Sequence, residues 1–98
     1  MKLEIEARSR TITEYFVEVD GVNFDVEDLI ETLGYIKNND NIYVDNPRMS
    51  KVLVRIGVLE SGGSMTWPAS PGPKFDEFYD SLRKECEKMN AIGFEISY

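Results

Sequence analysis

The side chains that could do chemistry in this 98-residue chain are carboxylates, cations and one thiol; histidine is absent and Cys86 is the single cysteine. The lack of imidazole excludes His-based general acid–base catalysis, Ser-His-Asp and Cys-His nucleophile systems, and histidine-ligated metal centres. A lone thiol closes no intrachain disulfide and builds no cysteine-cluster zinc site. It fits a reducing compartment, so a cytoplasmic protein without metal or cofactor is expected. Carboxylates remain, but no acidic run has the Asp-x-Asp-x-Asp-Gly spacing of a calcium loop. Ser61-Gly62-Gly63-Ser64 lacks the Gly-Lys-Ser/Thr that completes a phosphate loop, and Gly-x-Gly-x-x-Gly does not occur. No catalytic set emerges, and the expectation is a non-enzymatic protein.

Charge carries more information than motif. Eighteen Asp and Glu face eleven Lys and Arg, giving a net charge of −7 and a pI near 4.5. All of the imbalance lies in residues 1–47, where eleven carboxylates oppose Lys2, Arg8, Arg10 and Lys37. Glu14 and Glu18 alternate along one expected strand. Glu27, Asp28 and Glu31 fall at i,i+3 and i,i+4 spacing on one side of an expected helix. This acidic face suits a macromolecular partner with a basic site, for example a nucleic-acid-handling protein, which it would adapt or inhibit by occupying that site.

One basic stripe runs against this trend. Arg48, Lys51 and Arg55 repeat at i, i+3, i+7, with no acid between Pro47 and Leu59. The expected order from 47 to 67 is helix, strand, Gly-rich turn, strand. It resembles the recognition helix and wing of winged-helix DNA readers, which implies phosphate and base contacts from those three side chains. A helix-turn-helix joins its helices by three or four residues, however, and here twelve separate Gly34 from Pro47. The net charge also opposes phosphate binding. The acidic-face reading is therefore preferred.

The elements that must position these groups follow from periodicity. Met1, Leu3, Ile5 and Ala7 alternate with Lys2, Glu4 and Glu6, the pattern of a half-buried strand; a signal peptide would need a continuous apolar run instead. Thr11–Val19 carries apolar groups on both faces and should be covered on both or central in a sheet. Asp20-Gly21 marks a two-residue hairpin into Val22-Asn23-Phe24. Asp25 caps a helix bearing Val26, Leu29, Ile30 and Leu33, with Gly34 as its stop. Ile42-Tyr43-Val44 reads as a short strand. Asn46-Pro47 opens a second helix bearing Met49, Val52, Leu53 and Ile56, and Gly57 ends it.

Val58–Glu60 and Met65–Trp67 are expected strands, with Trp67 a core anchor. Residues 68–73 hold three prolines and read as a stiff connection within a single domain. A third helix from Lys74 to about Met89 turns Phe75, Phe78, Tyr79, Leu82 and Cys86 inward, which makes the thiol an inert small hydrophobe. Phe94, Ile96 and Tyr98 alternate as a final strand. The fold class expected is α+β, a small antiparallel sheet with about three helices packed on it.

Overall fold

The computed structural model describes residues 3–9, 13–38, 42–61 and 68–90. The described side chains begin at Leu3 and omit those of residues 7–9, 13, 14 and 90. The architecture is α+β. Strands β1 (Ile5–Ser9), β2 (Thr13–Val19) and β3 (Val22–Asp25) form an antiparallel sheet in the order β1-β2-β3. The doubly apolar β2 is its central strand. Val17 pairs with Ile5 on one side and Phe24 on the other, and Val19 pairs with Val22. Asp20 and Gly21 turn the chain with φ of 51° and 81°, a left-handed pair that Asp-Gly accepts cheaply.

Three helices follow: α1 (Val26–Lys37), α2 (Pro47–Arg55) and α3 (Phe75–Asn90). The Asp25 side chain accepts the Asp28 N–H at 3.2 Å, and Asn46 accepts from Arg48 and Met49 at 3.1 Å each. Both caps thus satisfy helix donors that would otherwise lack a partner. The inner sheet face and the apolar stripes of all three helices meet in one core. Val17, Val26, Leu29, Leu33, Leu53, Phe78, Leu82 and Cys86 are among its fully buried members. α1 packs against β2, β3 and α3. Lys37 strengthens that last contact by lying 3.8 Å from Asp76 and 5.1 Å from the centre of the Tyr79 ring.

Four local expectations are corrected. The polar run Arg8-Ser9-Arg10 reads in sequence as a turn, but β1 continues through Arg8 and Ser9, which pair with Glu14 and Thr13. α1 passes through Gly34 to Lys37 and caps at Asn38. Buried Ile36 continues the apolar stripe, and tertiary burial outweighs the roughly 1 kcal/mol that a helical glycine costs. Residues 42–44 form no ladder, although Val44 is buried and the Ile42 carbonyl accepts from Ala69 at 2.9 Å.

The fourth correction concerns the proline-rich segment. It is not a bare connection: β5 (Ser70–Pro71) pairs with β4 (Leu59–Ser61) across an irregular register. Pro71 donates nothing to the ladder, which is tolerated because β4 and β5 have no further strand beside them among the described residues. The expected strand 65–67, Trp67 and the expected terminal strand 94–98 lie outside the described residues.

Candidate functional site

The strand registers sort the sheet residues by face. Glu6 stands opposite Phe16, Phe16 opposite Asp25, and Glu18 opposite Asn23. These residues alternate with buried Val17, Val19 and Phe24, so they belong to the outer sheet face. Glu6, Glu18 and Asn23 are exposed there, while Phe16 and Asp25 are half-buried. Glu14 takes its place in the same ladder opposite Arg8.

α1 covers the inner face of the sheet and exposes Glu27, Asp28 and Glu31 on its own outer side. The five acidic residues expected to form one face therefore sit on two surfaces. Asp25 joins them, because it ends β3 and caps α1. Partial burial pushes the Asp28 carboxyl above its ordinary value of 3.8, and the Asp25 and Glu31 charges push the same way. The Asp25 and Glu31 carboxylates thus lie close enough to Asp28 to repel its charge.

Glu6, on the outer sheet face, and Asp25, where β3 passes into α1, are acidic positions that periodicity did not assign to either surface. Strand alternation places Glu6 in phase with Glu4, but its neighbours on β2 follow only from the register. Asp25 reads in sequence as a cap alone.

The basic stripe is also in place. Arg48, Lys51 and Arg55 are exposed on α2, whose inward side buries Met49, Val52 and Leu53. Arg48 and Lys51 make no ion pair among the described residues. Arg55 does: its Nε lies 2.7 Å from Oδ2 of Asp20, at the tip of the β2–β3 hairpin. No feature of the sequence connects those two positions.

Chemistry elsewhere is limited. Cys86 is fully buried, and burial, followed by the Glu85 charge, pushes its thiol up to about 11; Arg83 opposes this without reversing it. A thiol so held carries almost no thiolate at neutral pH. Among the described residues no group of three or more Cys, Asp or Glu side chains could hold a metal ion. No helix among them is long and apolar enough to cross a membrane. No protein-family model, curated protein or solved structure matches the chain.

Proposed function

We propose that this is a small non-enzymatic interaction protein that binds a macromolecular partner with a basic site through its acidic N-terminal half. A nucleic-acid-handling protein, inhibited or adapted by occupation of its basic groove, is the partner class that fits. One observation carries the reading. Glu27, Asp28 and Glu31 are exposed together on α1, where partial burial and then the Asp25 and Glu31 charges raise the Asp28 pKa, while Glu6 and Glu18 make a second negative surface on the outer sheet face.

The experiment is capture from an extract of the native cell on two immobilised baits. One is the wild-type protein and the other carries Glu18→Lys, Glu27→Lys and Glu31→Lys. A basic protein retained by the wild type, released by salt and ignored by the variant supports the proposal. Equal retention on both baits refutes it.

A second reading has its own observation. α2 exposes Arg48 and Lys51 and leads directly into the paired strands β4 and β5, the order in which a winged-helix reader presents its recognition helix and wing. Under this reading the ligand is nucleic acid, held through the phosphates. Retention on heparin at low salt separates the two, since a phosphate binder is retained with a steep salt dependence and the acidic binder flows through.

A further inference from the structure

The contact between Arg55 and Asp20 bears on the second reading. We propose that Asp20 is a built-in counter-ion for the α2 stripe: it occupies the third cation of a phosphate-contacting surface and weakens that surface for polyanions. This inference rests on the nucleic-acid reading of α2 and adds a regulatory contact to it.

Three observations support it. The first is the asymmetry along the stripe. Arg48 and Lys51 are exposed without an ion-pair partner among the described residues, whereas Arg55 is engaged at 2.7 Å. A phosphate backbone meeting α2 would find two free cations and one already matched with a carboxylate.

The second is the turn itself. φ of 51° at residue 20 demands a residue that tolerates the left-handed region, and Asn, Asp or Gly serves. Asn-Gly would satisfy the backbone equally well. The turn therefore accounts for the residue's shape but not for its charge, and the charge meets Arg55.

The third is rigidity. Val19 pairs with Val22 immediately below the turn, and both Val19 and Val17 are anchored in the core. The carboxylate is thus presented to α2 by a fixed hairpin rather than by a wandering loop. Both side chains remain partly exposed, at 61% for Arg55 and 45% for Asp20. A pair so placed is weak enough for a phosphate to displace.

The test is a titration of a fluorescein-labelled DNA duplex, followed by anisotropy over a range of salt concentrations. Asp20→Asn keeps the turn and removes the charge, and Asp20→Gly does the same by removing the side chain altogether. Glu87→Gln, at an exposed position on α3, controls for the change in net charge. Each phosphate contact contributes about −0.9 to the slope of log K against log salt. The wild type should show a slope near −2, from Arg48 and Lys51. Both Asp20 variants should bind several-fold tighter with a slope steeper by about 0.9, while Glu87→Gln leaves the slope unchanged.

Two failures are distinguishable. If neither wild type nor Asp20→Asn binds, or if Arg48→Ala/Lys51→Ala leaves binding unaltered, the nucleic-acid reading of α2 is wrong. If binding depends on Arg48 and Lys51 but the Asp20 variants match wild type or Glu87→Gln, the stripe stands and the counter-ion role is overturned.

Discussion

Replacing Gly72 by alanine tests how the proline-rich segment is held against the body of the protein. A Cβ at this position would run into the Gly57 carbonyl oxygen and would lie 2.9 Å from the carbonyl carbon of Leu59 and 3.1 Å from the Glu60 nitrogen. All three are backbone atoms, so no side chain can swing aside. The backbone of Gly72 is not in the left-handed region, so what the site demands is space. Relief requires the two segments to separate, and two hydrogen bonds tie them at this point: Gly72 N–H to the Val58 carbonyl at 2.8 Å, and Lys74 N–H to the Gly57 carbonyl at 2.9 Å.

Losing both bonds costs about 1–3 kcal/mol at ~0.5–1.5 kcal/mol each. Loosening the packing over fully buried Val58 and Leu59 adds about 1 kcal/mol or more. The expected destabilisation is therefore about 2–4 kcal/mol, a large share of the ~5–15 kcal/mol typical of a domain. Urea denaturation followed by circular dichroism reads it: with m of roughly 1–3 kcal/mol/M, the midpoint should fall by about 0.7–4 M. Gly21→Ala is the contrast, since open space surrounds that position and only its φ of 81° is strained; it should cost about 1–2 kcal/mol. A Gly72→Ala protein within about 0.5 kcal/mol of wild type would refute the close packing of residues 57–60 on 70–74.

The other expectations concern the helices. Leu53→Ala, at a fully buried position on α2, should cost roughly 2–5 kcal/mol, while Arg48→Ala and Lys51→Ala should each stay within about 0.5 kcal/mol; denaturation midpoints check all three. Cys86, with its thiol pushed up to about 11, should resist a thiol-specific reagent at pH 8 in the folded protein and react rapidly in denaturant; rapid reaction without denaturant contradicts its burial. Asp28 has a folded pKa raised above 3.8, so its contribution to stability is fully present below that pH and is lost as pH rises through the higher folded value. Asp28→Asn should therefore stabilise the protein at neutral pH, with the gain vanishing in acid; a thermal melt at each pH reads the sign.

Local signals proved legible where the physics is local. Asp25 and Asn46 cap because their side chains reach N–H groups two or three residues on, a distance that sequence spacing specifies. The stripe Val26, Leu29, Ile30, Leu33 and the stripe Met49, Val52, Leu53 both face the core as their period requires. The apolar groups on both faces of β2 left a covered or a central strand open, and the register makes it central. Gly34 misled because the αL stop and a buried helical glycine look alike until Ile36 is known to pack. β5 was hidden because its pairing with Leu59–Ser61 depends on Gly72 fitting under the Gly57 carbonyl, a contact between distant segments.

The candidate surfaces show the same division. Periodicity identified the exposed carboxylates of α1 and the exposed cations of α2. It could not show that Glu18 and the α1 carboxylates lie on different sides of the sheet, since that depends on which face α1 covers. Nor could it pair Asp20 with Arg55.

The most direct measurement is the association rate of the purified, captured partner with wild type and with Glu27→Lys/Glu31→Lys, followed from low to physiological salt. Steering by the acidic surface predicts a wild-type rate that falls steeply as salt rises, and a slower, nearly salt-independent rate for the double reversal. Identical rates and identical salt dependence in the two proteins would contradict the acidic surface as the binding site.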